Sequence, residues 1–239
     1  MFTAPARFKA VTWNPHHKTT LPNLERIATD LLNRNVRIGL MQEATRPGLP
    51  KMLRGLGLGA FKVGPEYLVW WDKEAFTRIA AEAVDLSPTE YSINGGGKRR
   101  QRAAAVLLAD NAGRTVEALS YHFPSMVQRG GPNAEVPNRV KALREATEAL
   151  AVRARKSEAH ACLYGGDDNV DVRNGNGWDF MRKPATGLEL VQAPRPTHGH
   201  AKTGRKIDNF RVSGLAVGNG NVLPGGGDHR IHLRNFRWE

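Results

Sequence analysis

The order of elements along this chain predicts an α/β fold: a four-layer α/β sandwich with two central β-sheets packed face to face and helices outside. Three observations carry that expectation. Near the N-terminus a strand-like run, an amphipathic helical run and a second strand-like run follow one another. Through the middle, four apolar runs of strand length alternate with turn residues. A long amphipathic stretch then delivers the chain to a further buried run, "HACLYGG". Each half thus holds strands with one covering helix, and a sheet with an apolar face must bury it against another layer.

Taken in order, "RFKAVTWN" reads as a short strand ending at Asn14. From Pro22, "PNLERIATDLLNRN" sets Leu24, Ile27, Ala28, Leu31 and Leu32 on one helical face, with proline suited to the first turn. "VRIGLMQEA" is the second strand, closing on Gln42 and Glu43. The runs "EYLVWWDK", "FTRIAAEAVDL", "RQRAAAVLLAD" and "RTVEALSYHF" read as a meander, with "YSINGGGKRR" as a glycine-rich basic loop between the second and third. "VPNRVKALREATEALAVRARK" gives a helix with Val140, Leu143, Ala146, Leu150 and Val152 on its apolar face. In the last third, "GWDFMRK" reads as a short helix, and "KIDNFRVSG" and "GDHRIHLRNF" as strands.

With 239 residues and no marked linker, residues 1–239 are expected to form one domain around one sizeable core. No apolar window approaches a membrane span, and the N-terminal stretch lacks a signal peptide's hydrophobic run, so a cytoplasmic monomer without membrane insertion is expected. The single cysteine, Cys162, excludes an internal disulfide. Thirty-five Lys and Arg against 23 Asp and Glu leave a formal charge of +12, which favours a polyanionic partner, nucleic acid first.

Against that basic background "YGGDDNVD", residues 164–171, crowds three carboxylates onto the end of a buried strand. Like charges there are costly unless a cation sits among them. In an α/β sandwich the strand ends at one rim would gather Asn14, Glu43, His122, Asp167, Asn169, Asp208, Asp228 and His229. Alone, each motif is weak, since "GDDN" is also an ordinary turn and "QE" an ordinary strand end. Their order is the stronger signal: "TWN", "MQEA", "SYHFPS", "YGGDDNV", "KIDNF" and "GGDHR" occur in sequence, each at or after a strand-like run.

This ordered set resembles the endonuclease/exonuclease/phosphatase superfamily, which includes deoxyribonuclease I, abasic-site endonucleases, sphingomyelinases and inositol polyphosphate 5-phosphatases, and it spans residues 8 to 233. The resemblance implies a deoxyribonuclease I-like fold and Mg2+-dependent phosphodiester hydrolysis, with Mn2+ as a substitute. It implies Asn14, Glu43 and Asp228 on the metal side, with Glu43 the direct carboxylate ligand. Asp167 and Asn169 match the family's "GD-x-N", where they activate and orient the attacking water. Asp228 and His229 match its "S-D-H", with Gly227 in place of serine, and Asp208 matches the carboxylate that orients the histidine. His122 resembles the second histidine of deoxyribonuclease I, with Glu66 a candidate acidic partner. Arg100 or Arg102 falls where relatives contact phosphate, and Thr197 where they place a threonine that contacts phosphate or supports the site. Asp168 departs from the family by acidity at a variable position and reads as an exposed-rim residue; Asp171 reads as a solvated loop acid.

DNA is the expected substrate, because the basic loop and basic helix suit a long phosphate backbone. The rivals are hydrolysis of inositol phosphates or phospholipid head groups, and a noncatalytic nucleic-acid-binding module. Structural zinc at His198, His200, His229 and His232 is disfavoured, since cysteine pairs and a helical H-x-x-x-H are both missing.

Overall fold

The structure, a computed structural model, describes residues 7–92, 97–125, 127, 136–171, 181, 187–199, 204–225 and 227–239. Its elements are β1 (Arg7–Trp13), α1 (Leu21–Asn33), β2 (Val36–Met41), α2 (Leu49–Gly55), β3 (Leu58–Val63), β4 (Tyr67–Asp72), β5 (Phe76–Asp85), β6 (Tyr91–Ser92) and β7 (Lys98–Arg99). They continue with β8 (Arg102–Asp110), β9 (Thr115–His122), α3 (Val136–Lys156), β10 (Ala161–Asp167), β11 (Glu189–Val191), β12 (Asp208–Ser213), β13 (Leu215–Leu223) and β14 (Ile231–Trp238). One six-stranded sheet has the order β13-β14-β1-β2-β4-β3, the other β11-β12-β10-β9-β8-β5, and β6-β7 form a small hairpin.

Period-two alternation sorts the side chains into layers. On β4, Tyr67, Val69 and Trp71 join the core between the sheets, while Leu68 and Trp70 pack outward with α1 and α2. On β8, Ala104, Val106 and Leu108 face the inter-sheet core, and Ala103 and Ala105 face α3. Three apolar cores therefore separate four layers: α1 with α2, the first sheet, the second sheet, and α3. On α1 the expected face is buried at Leu24, Ile27, Ala28 and Leu31. On α3, Ala142, Leu143, Ala146 and Leu150 are fully buried, whereas Val152 is only half-buried.

The middle segment departs from a simple meander. β4 pairs with β2 and β3 in the first sheet, and the chain then crosses to the second, where β5, β8 and β9 are the true meander. The run "GWDFMRK" lies outside the described residues except for Met181, which is buried in the core under α3. No described helix is long and apolar enough to cross a membrane.

Candidate active site

Alternation also decides which residues reach the rim between the sheets. Along β10, Ala161 and Leu163 face the inter-sheet core while Cys162 and Tyr164 face α3. Continuing that count puts Asp167 on the inner side and Asp168 on the outer. The same period carries His122 inward from Val116 and Ala118, Asn14 inward from Phe8 and Ala10, and Asp208 inward with Phe210 and Val212. β1 and β2 run parallel, as do β9 and β10, and all four end at this rim. β12 and β14, antiparallel to their neighbours, begin there.

Asn14 ties the two sheets together. Its Nδ2 donates to Glu43 Oε1 at 3.1 Å and to Asp167 Oδ2 at 3.2 Å, and its Oδ1 accepts the His16 amide at 2.9 Å. Two imidazoles approach the same Asp167 oxygen: His122 Nε2 at 3.6 Å and His229 Nε2 at 3.7 Å. Each ring is held from behind by a carboxylate, His122 Nδ1 by Glu66 Oε2 at 3.0 Å and His229 Nδ1 by Asp208 Oδ2 at 3.0 Å. A carboxylate at Nδ1 fixes that nitrogen as the donor and leaves Nε2 toward the centre. Asp167 Oδ1 accepts the Asn169 amide at 2.7 Å, and Asn169 Nδ2 donates to Phe123 O at 2.8 Å. Asn169 has φ 53°, a left-handed conformation that asparagine tolerates better than most side chains.

The electrostatics follow from burial against partners. Burial and the nearby Asp208 charge push the Asp167 carboxyl up, against the pull of His229 and His122. Burial disfavours the His229 cation, but Asp208 and Asp167 outweigh it and raise its pKa to about 10. His122 is likewise raised, burial being overcome by Glu66, Asp167 and Glu43. Burial opposes ionisation of Glu66, yet His122 and the Arg99 guanidinium bring it down to about 2. Glu43 is also held below the usual carboxylate range, because His122 and the Asn14 amide outweigh its burial.

Other expected residues take different places. Arg100 pairs with Glu90 at 3.2 Å and Arg102 with Asp85 at 2.9 Å, both on exposed surface. Their neighbour Arg99 pairs with Glu66 and so stands behind His122. Thr197 is fully buried, and its hydroxyl oxygen accepts the backbone amides of Ile207 at 3.2 Å and Asp208 at 3.1 Å. It therefore braces Asp208, a place in keeping with a threonine that supports the site. Asp228 lies at the outer edge, its carboxylate 3.2 Å from His198 Nε2 with 53% of the side chain exposed.

Two readings of the acidic run are corrected. Asp168 is no rim residue: it is fully buried on the outer side of β10, paired with Arg211 Nη1 at 2.7 Å. It also accepts from Asn209 Nδ2 at 2.9 Å and from the Tyr121 hydroxyl at 3.0 Å. Asp171 is buried too, not solvated. Among the histidines considered for zinc, His232 is buried between the sheets, its Nδ1 3.1 Å from Asp208 O, and burial drives its pKa down to about 3. His200 lies outside the described residues.

The donor set suits a hard divalent cation. Glu43 and Asp167 converge on a single amide nitrogen of Asn14. An oxygen-rich cluster with few protein ligands fits a Mg2+-type ion that keeps several waters. Asp167, Asp208 and His229 bring ligand atoms within 4.8 Å of one another.

No family model and no curated protein matches the sequence. Solved structures do match over nearly the whole chain. An endonuclease/exonuclease/phosphatase protein from Bacteroides vulgatus superposes with TM-score 0.73 at 16% identity, covering 98% of this chain and 99% of that one. D. rerio TDP2 complexed with single-strand DNA product gives TM-score 0.71 at 10% identity, covering 97% and 99%. The mannosyl-6-phosphatase of Bacteroides thetaiotaomicron gives 0.71 at 15%, covering 97% and 100%. At such identities the likeness establishes the fold.

Proposed function

Given the deoxyribonuclease I-like fold of the endonuclease/exonuclease/phosphatase superfamily, we propose that this protein is a Mg2+-dependent phosphodiester hydrolase acting on nucleic acid, DNA in particular. The observation that carries the reading is the convergence of Asn14, His122 and His229 on Asp167, with Glu43, Glu66 and Asp208 behind them. A divalent cation held by Glu43, with Asn14 and Asp228 on the same side, supplies Lewis-acid polarisation of the phosphoryl oxygens when bound.

The chain's own residues then handle the proton and the charge. Asp167 receives the proton of the attacking water, Asn169 keeps the Asp167 carboxylate turned by its backbone N–H, and the His229 imidazolium steadies the same carboxylate from Nε2. Asp208 holds His229 in one tautomer and favours its cationic form. His122, fixed by Glu66, presents Nε2–H to a phosphate oxygen or to the leaving group, and Arg99 keeps Glu66 ionised behind it. Nucleic acid is favoured by the net charge of +12 and by the exposed Lys98 on the β6-β7 hairpin that also carries Arg99. A second reading, hydrolysis of small phosphorylated sugars, draws support from the mannosyl-6-phosphatase likeness.

The test is cleavage of plasmid, linear duplex, single strands, RNA, inositol phosphates and mannose 6-phosphate side by side, with Mg2+ or with EDTA. Asp167→Ala and His229→Ala are expected to abolish cleavage while most DNA affinity remains. Turnover of the small phosphates alone would overturn the nucleic-acid reading, and undiminished cleavage by both variants would overturn the assigned roles.

A further inference from the structure

Beside the carboxylate centre the sequence "NPHHK" places two imidazoles that the hydrolytic reading leaves without a role. Pro15 and the Asn14 side chain turn the chain sharply: the Asn14 amide oxygen accepts the His16 N–H, and His16 adopts φ 61°. The turn brings the His16 and His17 rings to 4.1 Å centroid separation and presents them to Glu43. His17 N–H donates to Glu43 Oε2 at 3.2 Å, and His17 Nδ1 stands 3.6 Å from the same oxygen. The two oxygens of Glu43 thus face different surroundings, Oε1 toward Asn14 and Oε2 toward the histidines.

Ligand atoms of His16, His17 and Glu43 lie within 4.8 Å of one another. Neither imidazole is committed to a short hydrogen bond among the described residues: the nearest contacts are 3.4 Å from Lys18 N to His16 Nδ1 and the 3.6 Å approach of His17 to Glu43. An ion about 2.1 Å from each donor needs them roughly 3.0–3.4 Å apart, so binding would draw the three side chains closer, and His17 is exposed. The chemistry of such a donor set differs from that of the inner cluster. Two imidazole nitrogens with one carboxylate suit borderline transition metals, whereas Mg2+ takes oxygen and water.

We propose that His16, His17 and Glu43 Oε2 form an outer subsite for a transition-metal ion of the Mn2+, Co2+ or Zn2+ class, adjoining the Mg2+ position at the centre. The proposal rests on Glu43 being the metal carboxylate of the hydrolytic reading, and its own content is the nitrogen ligation. Because Glu43 is shared, occupancy of the outer subsite is coupled to the inner one, so the protein responds to transition-metal supply in a way that an all-oxygen site would not.

The experiment is titration of the full chain with Co2+ in excess Mg2+, read by visible d–d absorption and by competition with a chromophoric chelator. The wild type is expected to show one Co2+ site with nitrogen-ligand bands. Outer-shell changes alone cost about 10–100-fold in metal affinity, so His16→Gln with His17→Gln should weaken that site at least ~100-fold. Mg2+-supported cleavage by the same variant should be unchanged, and His198→Gln should leave Co2+ binding intact. Co2+ affinity and spectrum unaltered by the double substitution, or lost in His198→Gln instead, would overturn the proposal. Failure of the hydrolytic reading looks different: no wild-type cleavage in Mg2+, with Co2+ binding still dependent on His16 and His17.

Discussion

Asp167 and Asp168 are adjacent and both buried, yet the strand's alternation sends them to opposite sides of the second sheet. Asp167 faces two imidazoles and an amide at the rim; Asp168 faces Arg211, Tyr121 and Asn209 under α3. Arg211 is itself buried and lies 5.3 Å and 5.5 Å from the Tyr121 and Phe123 ring centroids, so its charge has little access to water. Burial lowers an arginine's pKa, but here Asp168 raises it above the ordinary value. Removing one partner of such a pair leaves an uncompensated charge and costs about 3–5 kcal/mol, whereas replacing both with apolar groups is often neutral. Asp168→Ala should therefore lose stability on that scale in urea denaturation, and Asp168→Leu with Arg211→Met should recover most of it. If the double variant were as unstable as the single, the two charges would not be acting as a unit.

Between elements, a close contact constrains the place where the sheets meet behind the site. A Cβ on Gly165 of β10 would come within 2.6 Å of Leu40 Cδ1 and 3.0 Å of Thr12 Cβ, both from the opposite sheet. Gly165→Ala must push the layers apart two residues from Asp167, at a cost of about 1–3 kcal/mol for overpacking. Because misplacement by an ångström can cost ~100-fold in rate, the variant should lose kcat by ~10–100-fold with its fold retained by circular dichroism. Gly55→Ala, where an added Cβ meets nothing within 4 Å, is the control and should leave kcat unchanged. Much of this layering was legible in the sequence, because β4, β8 and β10 are apolar runs of strand length and α1 and α3 carry apolar stripes. α2 and β3 escaped it, being seven and six residues long among glycines and basic residues, and "LAVGNGNVL" hides β13 behind two glycines. The gathering at the rim was readable where a proposed site residue ends or directly follows a strand, as Asn14, His122 and Asp167 do. That Arg99, and not Arg100 or Arg102, pairs with Glu66 was not, because it depends on how a two-residue strand pairs with Tyr91 and Ser92.

For the molecule as a whole, the proposed nucleic-acid substrate sets a problem, that of bringing a polyanion to a centre built from carboxylates. A net charge of +12 addresses it at long range, and exposed Lys18 and Lys98 stand on segments that also supply the site, beside His17 and Arg99. Such attraction is collective and screened, since the Debye length is about 8 Å at physiological ionic strength. It should therefore govern binding of a long backbone and leave the bond-breaking step alone. If four phosphates are neutralised on a duplex, the slope of log K against log salt is about −3.6, an affinity loss of roughly 150-fold between 50 and 200 mM. Fluorescence anisotropy with a labelled duplex and the catalytically disabled Asp167→Ala variant measures that slope without cleavage. Hydrolysis of a small chromogenic phosphodiester by the wild type, over the same salt range, should change little. A flat binding slope would remove the electrostatic basis for a nucleic-acid substrate and move the weight to small phosphate esters, because only a chain of phosphates releases counterions in that number.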